Sequence, residues 1–140
     1  MYFIGIDLGT SAVKLLLMNQ NGVCVKSVSR EYPISYPKPG WSEQNPEDWY
    51  RQTSDGLREL LPDIDKSRVA GIGVSGQMHG LVALDKSDHV IRPAILWNDE
   101  RTAEETEYLN QEIGKDRLSA DTANVAFAGF TAPKILWMRK

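Results

Sequence analysis

Residues 2–28 hold three short apolar runs separated by two turns, and this pattern limits the fold more tightly than any other stretch of the chain. The run at residues 2–6 breaks at Asp7-Leu8-Gly9-Thr10-Ser11, and the run at 13–18 breaks at Asn19-Gln20-Asn21-Gly22. The Asn-Gly step of the second break supplies the positive φ angles a tight hairpin needs. Residues 23–28 alternate apolar and polar side chains, the mark of a half-exposed strand. A three-stranded antiparallel meander is expected, with the DLGTS segment as its first turn.

The chain then changes character. Residues 33–46 hold four prolines (Pro33, Pro37, Pro39 and Pro46) and Gly40, which reads as a loop in which Trp41 packs. A helix begins there: Asn45 can cap it, Pro46 suits its first position, and Glu47 and Asp48 favour the positive end of its dipole. Trp49, Thr53, Leu57, Leu60 and Leu61 fall on one face, and Pro62 ends the element. Residues 69–75 read as a fourth strand. Reached after a helix, it is expected to cross over and pair in parallel with the first strand. Residues 81–84 and 90–95 are expected to form a hairpin around Asp85-Lys86-Ser87-Asp88. Residues 100–113 form a second helix stopped by Gly114. Residues 116–129 form a loop or short helix, and residues 131–140 a third helix with Pro133 in its first turn. The fold class is α/β, with a mixed sheet of antiparallel meander plus parallel strand.

At roughly 150 residues per domain, a chain of 140 residues is one domain or part of one. Hydrophobic residues make up 41% and charged residues 25%, ordinary globular usage that excludes disordered and fibrous classes. Apolar runs such as Leu15-Leu16-Leu17-Met18 fall far short of the roughly 20 residues that span a bilayer, so no membrane association is expected. Asp7 interrupts the N-terminal apolar run, which reads against a signal peptide. The 16 basic residues are scattered among 19 acidic ones, so no nucleic-acid partner is expected. The single cysteine, Cys24, can form no internal disulfide and reads as a small buried hydrophobe. A cytoplasmic location follows.

Three segments can carry chemistry. In the first, a strand ends in Asp7 and turns over Gly9 onto Thr10 and Ser11, with Lys14 following. Gly9 lets the backbone approach a ligand, while the turn amides and the two hydroxyls can donate to phosphate oxygens. Asp7 repels an anion, so its role there is to hold Mg²⁺ through water. A plain hairpin turn uses the same residue types. In the second, Gln77-Met78-His79-Gly80 sits at the carboxyl end of the parallel strand, where open α/β sheets bind ligands. Gln77 and His79 suit sugar hydroxyls, although His79 can equally be a structural histidine and Met78 a core gap-filler. In the third, Trp97-Asn98-Asp99-Glu100-Arg101 sets an aromatic face beside amide and carboxylate groups, a usual way to hold a polyol. Alternatively Trp97 is core, Asp99 caps a helix starting at Glu100, and Arg101 pairs with Glu104 or Glu105. Trp41, Trp49 and Trp137 read as packing residues, and the Trp41-Ser42-Glu43-Gln44 loop suggests no chemistry.

The order of the segments GIDLGTSAVK, GWSEQNPEDWY, GIGVSGQMHG, RPAILWNDERT and GFTAPKILW resembles the start of a xylulokinase, within the carbohydrate-kinase family that also contains glycerol and gluconate kinases. The resemblance covers essentially the whole chain. It implies an actin-like (ribonuclease H-like) ATPase fold, of which residues 1–140 are an incomplete first, sugar-binding domain, the second domain being absent. It implies ATP and Mg²⁺ as cofactors and D-xylulose as the sugar. By position, Asp7 is then the phosphate-loop aspartate and Mg²⁺ holder, Gly9, Thr10, Ser11 and Lys14 lie near the transferred phosphate, and Met78, His79 and Trp97 line the sugar pocket. The general-base aspartate would lie beyond residue 140, so these residues alone are expected to be inactive. Another pentulose, a polyol, gluconate, or a non-catalytic actin-like nucleotide module are the alternatives. An uncovered sheet edge is expected, with homodimerisation through it or marginal stability.

Overall fold

The computed structural model describes residues 1–140, which divide into two compact units: Met1–Pro33 with Asn45–Gln77, and Ile34–Gln44 with Met78–Lys140.

The first unit is built on a four-stranded sheet. The expected meander is present as β1 (Tyr2–Leu8), β2 (Ala12–Asn19) and β3 (Cys24–Glu31), paired antiparallel. Asn19 organises the second turn by accepting hydrogen bonds from the amides of Asn21 and Val23, and Gly22 takes a φ of 77° that a side chain would resist. Period-two alternation decides what is buried. Ile4 and Ile6 of β1, Val13, Leu15 and Leu17 of β2, and Val28 of β3 form the core with Tyr32 and Leu60.

Helix α1 (Pro46–Leu60) starts as its sequence dictates, with the Asn45 side chain accepting from the Glu47 amide. It lies over β2 and β3. Gly56 allows the approach, since a Cβ there would sit 2.5 Å from a methyl of the fully buried Leu15. The chain then returns through a 3₁₀ turn (Lys66–Arg68) to β5 (Val69–Gly76), which pairs in parallel with β1 from Phe3↔Gly71 to Leu8↔Gly76. β5 is the last strand of the sheet, and Ile72 and Val74 stay exposed on it, so the expected uncovered edge is present. Cys24 is also exposed, which corrects its reading as a buried hydrophobe: it opens β3, where the burial pattern is solvent-facing until Val28.

The second unit has little regular strand. β4 (Glu43–Gln44) and β6 (Ala94–Ile95) pair antiparallel, and Leu81 bridges Ile95. The expected hairpin closes at Leu84↔Val90, where Asp85 accepts from the amides of Ser87 and His89, but its arms are not continuous strands. Pro93 interrupts the second arm because it has no N–H to donate to a ladder. The helix expected over residues 100–113 is shorter: α2 spans Ala103–Tyr108 and runs into a π-helical turn, Leu109–Gly114. Gly114, at φ 91°, redirects the chain into α3 (Lys115–Thr122) instead of ending it, and Ala123 in left-handed conformation ends α3. Helix α4 (Thr131–Arg139) forms as expected.

Leu15→Ala should lower the free energy of unfolding by about 2–5 kcal/mol, read from urea denaturation, because the void would lie between α1 and β2. Val25→Ala on the exposed stretch of β3 should stay within about 0.5 kcal/mol of the parent.

Candidate functional site

Between β1 and β2 the turn is closed by the Gly9 amide donating to the Ala12 carbonyl at 3.0 Å. A Cβ on Gly9 would stand 3.0 Å from that same oxygen, so the close approach favours glycine. Asp7 lies beside Ser75 in the parallel ladder and opposite Lys14 in the antiparallel one. Residues directly paired across a ladder project from the same face. All three are exposed, and the Ser75 hydroxyl donates to Asp7 Oδ1 at 2.8 Å. Tyr32, which the sequence reading passed over, locks the turn from beneath. Its phenol donates to the Gly9 carbonyl and its amide donates to the Ser11 carbonyl at 3.2 Å. Burial pushes that phenol up to about 12, with the Asp7 charge adding to the effect, so it remains a protonated donor. The first unit therefore brings together Asp7, Gly9, Thr10, Ser11 and Lys14, and adds Tyr32 and Ser75.

The glycine at the end of β5 has a related purpose. A Cβ on Gly76 would press to 3.0 Å on the Leu8 side chain, and the next amide, Gln77, donates to the Leu8 carbonyl at 2.8 Å. The carboxyl ends of β1 and β5 are thereby drawn level.

Met78, His79 and Trp97 belong to the second unit. Met78 is 71% exposed and Trp97 48%, so neither is the core residue that the alternative readings required. His79 has a φ of 64°, uncommon for a residue with a side chain. Its ring stacks on Phe130, with centroids 4.2 Å apart and planes 17° from parallel. Its carbonyl accepts from Lys134 Nζ at 2.9 Å and from the Thr131 hydroxyl at 3.2 Å. Lys134 is fully buried and also donates to the Gly129 carbonyl at 2.5 Å. Desolvation lowers its amine to about 8, against the opposing pull of the Asp99 charge and with a further push from Arg101. Gly129 in turn packs directly against the Trp97 carbonyl, leaving no room for a Cβ. One buried cation and one glycine thus hold the His79 and Trp97 backbones in a single arrangement.

Behind Trp97 lies an ionic cluster. Asp99 accepts from the Ser42 amide at 2.7 Å, the Arg101 amide at 3.0 Å, and Arg101 Nε and Nη2 at 2.8 and 2.7 Å. Arg101 also meets Glu43 at 2.8 Å, which meets Arg92 at 2.6 Å. The Arg101 guanidinium stands 3.6 Å from the Trp41 ring centroid and 5.0 Å from that of Trp137. Two expectations are corrected here. Arg101 does not pair with Glu104 or Glu105, which face Lys140; Asp99 captures it because that pairing is buried and bidentate. Asp99 does not cap a helix at Glu100, and with its oxygens engaged it is not free for a ligand. Burial alone would raise Asp99, but the donors from Arg101 and Ser42 outweigh it and hold the carboxyl below its ordinary range. The Trp41-Ser42-Glu43 loop, silent in the sequence, supplies half of this cluster.

Residues 2–140 match the N-terminal domain model of the FGGY family of carbohydrate kinases. The xylulose kinase of Bacillus subtilis (strain 168) is 49% identical over 141 residues, covering 99% of this chain and 28% of that protein. The solved xylulose kinase of Rhodospirillum rubrum superposes with a TM-score of 0.93 at 30% identity, covering 99% of this chain and 29% of its own. The gluconate kinase of Lactobacillus acidophilus gives 0.91 at 29% identity, over 99% and 28% of the two chains. The chain therefore spans less than a third of the length of the proteins it matches, and its mixed α/β sheet is part of a larger fold.

Because the folded Asp99 carboxyl titrates below its unfolded value, the stability it contributes is present above the unfolded value and lost as pH falls through the folded one. On acid titration, the near-UV circular dichroism of Trp41 and Trp137 should survive the usual aspartate range near about pH 4 and collapse only below it. Loss of that signal well above pH 4 would contradict the Asp99–Arg101 pairing.

Proposed function

We propose, given that the chain belongs to the FGGY family of carbohydrate kinases, that its residues serve the transfer of the γ-phosphate of ATP to a hydroxyl of D-xylulose, giving xylulose 5-phosphate. The observation that carries the reading is the exposed Asp7 carboxylate, oriented by Ser75 beside an open glycine turn and opposite Lys14. The choice of sugar leans on the likeness to the Bacillus subtilis xylulose kinase.

The donor set fits a Mg²⁺-nucleotide. No cluster of three or more His, Cys, Asp or Glu is available to cage a metal. Mg²⁺ does not need one, because it is commonly bound through one or two carboxylates together with phosphate oxygens and water. Asp7 is such a carboxylate. The bound ion would neutralise charge on the transferring phosphoryl group. The chain's own part is positional. The amides of Thr10 and Ser11 and two hydroxyls donate to phosphate oxygens, Gly9 lets the turn approach them closely, Lys14 adds a cation, and Tyr32 keeps the Gly9 carbonyl turned inward as a neutral donor. On the sugar side, Trp97 offers an apolar face to the C–H surface of a polyol, while Met78 and His79 border it. Asp99 is committed to Arg101 and Ser42, and the base for the sugar hydroxyl is, as the family resemblance implies, a carboxylate outside residues 1–140. Residues 1–140 alone are accordingly inactive in this proposal. A cytoplasmic location is part of it; no helix is long and apolar enough to cross a membrane. Gluconate is the second reading, favoured by the superposition on the Lactobacillus acidophilus gluconate kinase.

The test is a substrate panel of D-xylulose, gluconate and glycerol with ATP and Mg²⁺, run on the full-length protein carrying this chain. D-xylulose should give the highest kcat/KM, Asp7→Asn should lower kcat by about 10²–10³-fold, and the 140-residue chain alone should show no turnover. Preference for gluconate would replace the substrate, and an unaffected Asp7→Asn enzyme would remove the phosphate turn from the mechanism.

A further inference from the structure

A fully buried lysine is rare unless it is paired, and Lys134 meets no carboxylate: its partners are two backbone carbonyls. Desolvating an ammonium group costs stability that a methionine of similar length would not cost, so volume alone does not account for a lysine here. What the amine does is geometric. It bridges the carbonyl of His79, at 2.9 Å, to that of Gly129, at 2.5 Å, fifty residues further along the sequence.

Both ends of this bridge are constrained in ways that packing does not demand. His79 is held in left-handed conformation although a glycine stands next to it in sequence, so the strained position keeps a side chain. That side chain is then fixed by stacking on Phe130, one residue after the second carbonyl. Gly129 presses on the carbonyl of Trp97. The residues converging on Lys134 are therefore the two proposed to border and to stack on the sugar. Resting on the sugar-kinase reading above, we propose that Lys134 is a positioning residue for the sugar pocket: its amine ties His79 to Gly129 and so sets the His79 ring and the Trp97 wall in register. It touches no substrate in this assignment and acts only through those two backbones.

The test compares Lys134→Met, which keeps length and removes every donor, with the parent full-length protein. Where the effect is pocket register, the KM for the sugar should rise about 10- to 100-fold while the KM for ATP stays near that of the parent. Resistance to urea should hold or increase, since the desolvated charge is gone. In proton NMR spectra, the His79 ring signals, shifted upfield by the Phe130 face, should move toward their free-histidine positions. A merely structural lysine would give the reverse pattern, with stability falling and both KM values moving together or not at all. Thr131→Val, which removes the other donor to the His79 carbonyl and leaves the buried amine in place, should raise the sugar KM by a smaller factor and keeps the test available if Lys134→Met does not fold. An unchanged sugar KM in whichever variant folds, or unshifted His79 signals in Lys134→Met, overturns the proposal. The sugar used is the best substrate of the parent enzyme, so a failure of D-xylulose in the parent refutes the substrate reading without touching this one.

Discussion

The parallel pairing of β1 with β5 is the constraint on which the first unit depends. Its register sets Asp7 beside Ser75, and the close contact of Gly76 with Leu8 brings the two carboxyl ends level. Without it, the Asp7 carboxylate would have Lys14 as its neighbour but no hydroxyl to orient it. The pairing is reached only after a crossover through α1, so it requires α1 to seat on β2 and β3, where Gly56 admits Leu15. Core packing thus reaches the proposed phosphate turn in two steps, from Leu15 to the helix and from the helix to the returning strand.

The second unit is organised by charge. Asp99, Arg101, Glu43 and Arg92 interlock with Trp41 and Trp137, joining the loop at residues 41–44, the segment at 92–101 and α4. Buried ion pairs seldom stabilise more than well-packed apolar side chains of the same volume would. They do impose direction: a guanidinium held bidentate by Asp99 and faced by two indoles has one available pose. Lys134 works by the same logic with carbonyl partners. Side chains proposed for sugar binding are thereby held by polar geometry on a unit with little regular strand.

Much of the first unit was legible in the sequence because its signals are local. Strand alternation, the Asn19–Gly22 turn and the Asn45–Pro46 helix start are each decided within a few residues. The candidate residues Asp7, Gly9, Met78, His79 and Trp97 were equally visible, since each stands next to a turn or strand end. What was missed depends on partners distant in the chain. The amide of Ser42 finds Asp99 57 residues later, and Lys134 finds His79 55 residues earlier. Nothing near Arg101 announces Glu43 as a partner, whereas Glu104 and Glu105 at helical spacing advertised the wrong one. A single cation inside the otherwise apolar Ala132–Trp137 stretch was the one sign available for Lys134. Cys24 was misjudged because apolar neighbours do not reveal which end of a strand leaves the core.

In the function proposed above, the bend between β1 and β2 receives the terminal phosphate of a Mg²⁺-nucleotide, with Asp7 as the ion's protein partner. It is tested most directly by titrating Mg²⁺-ATP into the isotopically labelled protein and following amide resonances. Shifts should be concentrated at Gly9, Thr10 and Ser11 and should vanish in Asp7→Asn. Shifts confined to other segments, or an Asp7→Asn protein that responds as the parent does, would contradict it.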